Sequence, residues 1–262
     1  MPDFATLLNA VVENQKRLEK AKGDFTYTKT QTEIETDEKG RPREAQERTY
    51  EVFFVNGRDI GRLVARNGQP LQGEDVRKEQ DRIDKVIREQ RERESKAAEK
   101  AAASGKKATE GKSVSLSLSQ LLRVVQFVNP RRERFRGKEA LVYDFEPRPD
   151  AQPVDRAESW VQKLSGTMWM DEVDKGVLRA EARMTEGIKM GGGLVLSVHR
   201  GSSFVFEQEF VRGEIWLPSY TEVNAAGRFL MFKGFKVNQK ERFSDYKKFN
   251  VETSSDIKPP RS

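Results

Sequence analysis

Thr49-Tyr-Glu-Val-Phe-Phe-Val-Asn-Gly-Arg-Asp-Ile-Gly-Arg-Leu-Val-Ala65 sets the dipeptide Asn56-Gly57 between two runs rich in β-branched and aromatic residues. Asn-Gly suits both positive-φ positions of a two-residue type I′ turn, so the stretch predicts a β-hairpin. The same composition recurs at 141–145, 168–170, 177–185, 204–211, 214–217 and 229–235, with Gly, Asn, Asp or Pro between the runs. The chain therefore reads as mainly β with helices, an α+β fold dominated by a large antiparallel sheet. What that sheet encloses is the functional question.

Helices open and interrupt the strands. Phe4, Leu7, Leu8, Val11, Val12 and Leu18 recur at helical spacing, with Glu13, Lys16, Arg17 and Lys20 between them and Gly23 as a stop. Residues 24–36, rich in Thr, Tyr and Ile, are expected as a strand turned back by Glu38-Lys39-Gly40-Arg41-Pro42. From residue 74 to about 103 the composition favours a helix, supported by Asp81/Lys85, Asp84/Arg88, Glu89/Arg93 and Glu92/Lys96 at i,i+4. Val76, Ile83, Val86 and Ile87 give its first half an apolar stripe. Residues 88–100 offer only Ala97 and Ala98, so the second half is expected to project into solvent, and 104–112 read as a flexible linker.

Residues 119–128 are expected as a further short helix closed by Asn129-Pro130. Residues 153–164 are expected as another, with Ala157, Trp160, Val161 and Leu164 on one stripe and Gly166 ending it. No internal repeat is evident. Residues 1–262 are thus expected to form one domain, in which 73–112 is a charged helical insertion with its linker between strands.

Lys and Arg number 48 against 42 Asp and Glu, a net charge of +6 that is spread evenly: residues 1–112 hold 24 basic against 22 acidic side chains, and 113–262 hold 24 against 20. A nucleic-acid footprint would be more concentrated, so none is expected. Without cysteine, disulfides, thiolate nucleophiles and zinc-thiolate sites are excluded. No run approaches the roughly 20 apolar residues of a spanning helix, and Met1-Pro2-Asp3-Phe4 carries no signal-peptide pattern.

The polar motifs point away from catalysis, metals and cofactors. His199 is the one histidine, and the chain has no Gly-x-Ser-x-Gly elbow, so a strand-end histidine near a turn is expected. Met190-Gly191-Gly192-Gly193 lacks the Lys-Ser/Thr of a phosphate loop and reads as a bend. Asp171-Glu172-Val173-Asp174-Lys175-Gly176 lacks the spaced ligands of a calcium loop and reads as a turn. Glu207 and Glu209, two apart on one strand, share a face in the way acid and base pairs do, with nothing adjacent to support such a role.

Residues 177–185 alternate cleanly: Leu178, Ala180, Ala182 and Met184 on one face, Arg179, Glu181 and Arg183 on the other. One face of the sheet is covered and the other wet. Phe204, Phe206, Phe210, Trp216, Tyr220, Phe229, Phe232 and Phe235 crowd the last strands, either as core or as the lining of an apolar concavity. Ala180 and Ala182 are small where a filled core favours Leu or Ile, which leaves room at that face.

Gly166-Thr167-Met168-Trp169-Met170-Asp171, then Leu178-Arg179-Ala180-Glu181, then Ile215-Trp216-Leu217-Pro218 resemble the strand pattern of the LolA/LolB-like family of outer-membrane lipoprotein-sorting proteins. The order of elements is similar too. The resemblance implies a curved, incompletely closed antiparallel β-barrel plugged by helices, in a periplasmic, non-enzymatic binder or carrier of acyl chains or a lipidated protein. The cavity expected from it has Leu178, Ala180, Ala182, Met184, Phe204 and Phe206 in its walls, with no cofactor, no metal and no catalytic residue. The alternative is an envelope scaffold or protein-interaction module whose barrel is filled by its own side chains, with the charged helix as its contact element.

Overall fold

The computed structural model describes residues 4–35, 41, 44–55, 58–104, 123–190, 195–230 and 233–248. Helix α1 (Phe4–Ala21) leads through a single 3-10 turn into β1 (Phe25–Glu35), β2 (Gln46–Val55), β3 (Arg58–Arg66) and the short β4 (Gln69–Pro70). Helix α2 (Glu74–Ser104) follows, then β5 (Val125–Phe135), β6 (Lys138–Pro147), helix α3 (Arg156–Val161), β7 (Leu164–Asp171) and β8 (Val177–Met184). The hairpin of β9 (Ile188–Met190) and β10 (Leu196–Val198) precedes β11 (Ser203–Val211), β12 (Ile215–Phe229) and β13 (Lys233–Lys248).

These strands make one curved antiparallel sheet in the order β4-β3-β2-β1-β13-β12-β11-β8-β7-β6-β5, with β10 pairing the far end of β12. It is the open, helix-covered sheet that the sequence predicts: among the described residues β4 and β5 stand at its two ends without pairing each other. Val55 pairs with Arg58, so two residues join β2 to β3, although Asn56 and Gly57 themselves lie outside the described residues. The expected turn at 38–40, the linker from 105 onward and the glycines at 191–193 lie outside them as well.

Helix α1 forms where its apolar stripe is, and it crosses one face of the sheet. Its Leu7, Leu8 and Val11 are buried against Val125, Leu141, Tyr143, Phe145, Met168 and Met170, and Phe4 packs on Phe127 and Tyr143. Further along, Leu18 meets Phe25 and Leu217. The helix thus spans the covered face from the β5–β7 end of the sheet to β12, burying apolar side chains that the strands alone leave exposed.

Helix α2 answers a different need. An open sheet exposes unpaired backbone groups along its edge strands. Here the Leu63 N–H donates to Glu79 Oε1 at 2.7 Å, Arg82 Nη2 donates to the Gly61 carbonyl at 2.5 Å, and Gln90 Nε2 donates to the Val55 carbonyl at 2.8 Å. Polar side chains of α2 therefore complete the hydrogen bonding of the β2–β3 edge, and Ile83 is buried beneath them.

Three expectations are corrected. Of the helix expected over 119–128, residues 119–122 lie outside the described residues and Arg123 and Val124 are helical, but Val125 opens a strand, because Val125 and Phe127 pair with Pro147 and Phe145 of β6 and join the core under α1. Asn129-Pro130 closes no helix. It sits at a bulge between Val128 and Arg131, with Asn129 at φ 53°, and β5 is an end strand, where a residue without an N–H costs no ladder bond. Helix α3 is shorter than 153–164: the Asp155 carboxylate caps it by accepting the Glu158 N–H, while Leu164 and Gly166 already belong to β7.

The expected strand 229–235 is likewise two strand ends, Phe229 closing β12 and Lys233 opening β13. These two strands are the longest in the sheet, at 15 and 16 residues.

Residues 171–176 form the turn joining β7 to β8, and buried Asp171 organises it. Its carboxylate accepts the N–H groups of Val173 and Asp174 at 2.8 and 2.9 Å and Lys138 Nζ at 3.0 Å. Burial acts to raise its pKa, but these donors outweigh it and hold the carboxyl below the usual aspartate range. A carboxylate depressed in the folded state stabilises the fold above its unfolded pKa, and that stability is lost as pH falls through the folded value. Asp171→Asn is therefore expected to flatten the acid limb of stability below about pH 4, checked by urea midpoints across pH 2 to 7. An unchanged acid limb would contradict this role.

Candidate ligand-binding face

Residues directly opposite one another on adjacent antiparallel strands share a face. One such row crosses the sheet as Tyr143, Met168, Ala180, Phe206, Thr221, Glu241, Gln31 and Arg48. The next runs Phe127, Phe145, Gly166, Ala182, Phe204, Val223, Gln239, Glu33 and Gln46. Both change character midway. They are apolar under α1 from β5 to β11, pass through Thr221 and Val223 on β12, and are polar from β13 to β2, where Lys29 pairs with Glu241 at 3.3 Å, Thr221 Oγ1 and Gln239 Nε2 donate to Glu241, and Arg48 pairs with Glu33. The covered face is an amphipathic surface divided at β11 and β12.

At that division stands Gln208. It is buried, and its side-chain carbonyl accepts from Gln15 Nε2 of α1 at 2.7 Å, which places it on the α1 side of β11 with Phe206. Its own amide nitrogen, buried too, meets no acceptor among the described residues. The register slips here: Glu207 pairs with Tyr220 and Gln208 with Pro218, leaving Ser219 as the extra residue of a bulge. The Ser219 hydroxyl is also buried without a partner among the described residues. Two orphaned polar groups at one bulge, beside an apolar row, are the chemical signature of this face, since a buried unpaired donor costs about 1–3 kcal/mol.

Of the residues expected in a cavity wall, Ala180 and Ala182 face the cluster under α1 and are half-buried. Phe206 lies opposite Ala180, and Phe204 lies opposite Ala182 with 40% of its surface exposed. The two rings stack at 6.4 Å. Met184 is buried opposite Leu164 at the end of the strand.

Leu178 departs from the expected alternation. Met170 pairs with Val177 and Trp169 with Arg179, so Leu178 is an unpaired bulge residue. It packs with Ala140, Val142 and Trp216, in a separate cluster from Ala180 and Ala182, and Val177 takes its place under α1.

The remaining polar groups are structural partners. Glu207 is buried and bonds both Arg136 and Arg179, whereas Glu209 is exposed, so the two do not face a shared substrate. Tyr220 donates to Glu222 at 2.6 Å, and burial, followed by that carboxylate, pushes its phenol up to about 12. His199 follows β10 at a turn, its N–H donating to the Ala226 carbonyl. A cavity of about 440 Å³ beside it is lined by Ile34, Ala226 and Val237 together with Arg200, Asn224, Lys236 and Asn238, a mixed wall that carries two cations, unlike the rows under α1.

Gln208, Gln15 and Ser219 are absent from the sequence-based set. A signal for Gln208 exists, since Phe204, Phe206 and Phe210 share its parity on the strand and it is the one polar residue in that series. Nothing in the sequence marks the bulge at Ser219.

No family model matches the chain, and no curated protein matches it significantly. Among solved structures it is similar to a domain from Vibrio parahaemolyticus ascribed to an outer membrane lipoprotein-sorting protein, at 12% identity over 95% of each chain with a TM-score of 0.37. It is similar also to a LolA superfamily protein from Nitrosomonas europaea, at 9% identity over 94% of each chain and a TM-score of 0.28. A third is the Pseudomonas aeruginosa MucA/MucB complex, at 10% identity over 90% of this chain and 94% of that one, TM-score 0.24. Likeness at this level says nothing of what the chain binds.

Proposed function

We propose that the chain is a non-enzymatic binder or carrier of acyl chains, free or borne by a lipidated protein, and that it acts in the bacterial periplasm, the setting of the proteins whose motifs it resembles. The carrying observation is the buried amide of Gln208, unpaired among the described residues, at the seam of an amphipathic face. An acyl ligand has the matching chemistry: a carbonyl or carboxylate to accept from Gln208, and a chain to lie along Phe206, Phe204, Ala180 and Ala182. The two alanines are small, which supports space for methylenes between sheet and helix. We read residues 1–262 as one domain, with 73–112 inserted between strands of one sheet.

A second reading has an observation of its own. Leu7, Leu8 and Val11 are buried against the apolar end of the same face, as they would be in a scaffold filled by its own helix.

A fluorescent fatty-acid titration separates the two. The wild type is expected to bind, and Ala180→Leu/Ala182→Leu is expected to weaken binding at least roughly tenfold with an unchanged melting temperature, because the added methylenes occupy ligand volume. Gln208→Leu is expected to cost about 1.5–3 kcal/mol in affinity if the acceptor is charged. A wild type that binds no acyl probe, together with a double variant that unfolds, would mean the space is core, and the scaffold reading would stand.

A further inference from the structure

Acidic residues are frequent in this chain, 42 of 262, yet residues 187–206 and 223–240 contain none, while Lys189, Arg200, Arg228, Lys233, Lys236 and Lys240 fall within them. The sheet brings these two stretches together. β10 pairs with β9 on one side and with the end of β12 on the other, setting Met190, Leu196 and Phe229 in one row and Lys189, Ser197 and Arg228 in the next. Neighbouring rows point to opposite faces, so this end of the sheet has an apolar side and a cationic side.

Large apolar side chains at this end are open. Val195, Phe229 and Leu230 are 47%, 47% and 58% exposed, and the Leu230 N–H donates to the Val195 carbonyl, which ties the residue after β12 to the residue before β10. The cations are open too: Lys189, Arg200, Arg228 and Lys236 are exposed, and none forms an ion pair with another described residue. An acid-free edge that joins large exposed side chains to charges without an ion-pair partner among the described residues needs a partner.

We propose that this end of the sheet, built from β9, β10 and the C-terminal end of β12, docks the protein on the surface of an anionic phospholipid bilayer. Both halves of the chemistry fit that partner. Phe229, Leu230 and Val195 enter the headgroup boundary, where a small apolar cluster is soluble, and Lys189, Arg228 and Lys236 reach the lipid phosphates, their aliphatic stems covering the rim. A polyanion such as nucleic acid would satisfy the charges and leave the apolar side unused. A second copy of the chain would bring like charges together. The proposal is independent of the acyl-binding face, which lies under α1 on other residues.

The test is flotation of the full chain with vesicles of phosphatidylcholine alone and with 30% phosphatidylglycerol. The wild type is expected to float with the anionic vesicles, and raised salt is expected to release it in part. Lys189→Glu/Arg228→Glu is expected to lower partitioning by roughly tenfold or more, and Phe229→Ser/Leu230→Ser to lower it on anionic vesicles while leaving fatty-acid binding and the melting temperature unchanged. All four positions are exposed, so the variants should fold. Equal binding to neutral and anionic vesicles, or none to either, overturns the proposal. So does a Phe229→Ser/Leu230→Ser variant that floats like the wild type, which would mark a merely electrostatic patch. A self-association abolished by the same variant, without vesicle binding, would assign the surface to a second copy and overturn it as well.

Discussion

Trp216→Ala is expected to lower the stability of the folded chain by about 3–5 kcal/mol, the range for truncating a fully buried tryptophan. The ring is 2% exposed and packs with Ala140, Val142 and Leu178, and its Nε1 donates to the Asp174 carbonyl at 3.0 Å. Asn14 of α1 donates to the carbonyls of Asp174 and Lys175, so the same β7–β8 turn is held from two sides. Removing the indole opens a cavity and frees a turn that positions α1. Trp169 has the same residue type and a different fate. It is only partly buried, lying over Phe135 and near Arg179 with its Nε1 on Glu133 at 2.8 Å, so Trp169→Ala is expected to cost only about 1–2 kcal/mol. Urea denaturation at constant slope checks the pair, and equal losses would contradict the assignment of Trp216 as the buried anchor.

Gly166→Ala is expected to destabilise by about 1–3 kcal/mol although alanine is ordinarily the better strand residue. A Cβ there would stand 1.8 Å from the Glu181 carbonyl oxygen and 2.7 Å from the Phe145 ring. The first of these is backbone of the adjacent strand, locked by the β7–β8 ladder, so it has no easy way to give. Gly61 is the control, since its Cβ would meet only the Tyr50 ring at 3.4 Å, an ordinary contact. Gly61→Ala is therefore expected to be neutral or stabilising by up to about 1 kcal/mol, through the smaller entropy of its unfolded chain. Thermal melts of the two variants check the contrast, and a neutral Gly166→Ala would mean that β7 and β8 are more loosely apposed than the structure has them.

How far the fold was legible follows the strength of local alternation. The hairpin flanks, β6, β7, β8 and the first halves of β11 and β12 carry apolar residues at every second position, and α1 and α2 carry clear helical stripes. Residues 125–128 misled because a short apolar run suits a helix and a buried strand equally, and only the partners Phe145 and Pro147 across the sheet decide it. Most of β12 and β13 gave no signal for the opposite reason. Thr221, Glu222, Asn224, Asn238, Gln239 and Glu241 are polar on both faces, and the strands are held by cross-strand pairs such as Thr221 with Glu241 and Lys240 with Glu222.

The candidate site was half legible for a related reason. Ala180, Ala182, Phe204 and Phe206 follow from alternation within single strands, which local sequence records. Leu178 was misplaced and Ser219 missed because each lies at a bulge, a property of the pairing between two strands. Gln208 gains its meaning only from Gln15, 193 positions away on α1.

The most direct test of the central claim is photo-crosslinking of the folded chain with a fatty acid carrying a diazirine near mid-chain, followed by mass spectrometric mapping of the labelled peptides. The account predicts labels on the strands facing α1, within Gly166–Met168, Ala180–Ala182 and Phe204–Phe206, lost when excess unlabelled fatty acid is added and reduced in Ala180→Leu/Ala182→Leu. Labelling confined to the exposed end of the sheet around Phe229 and Leu230, or spread without competition over the whole surface, would contradict it.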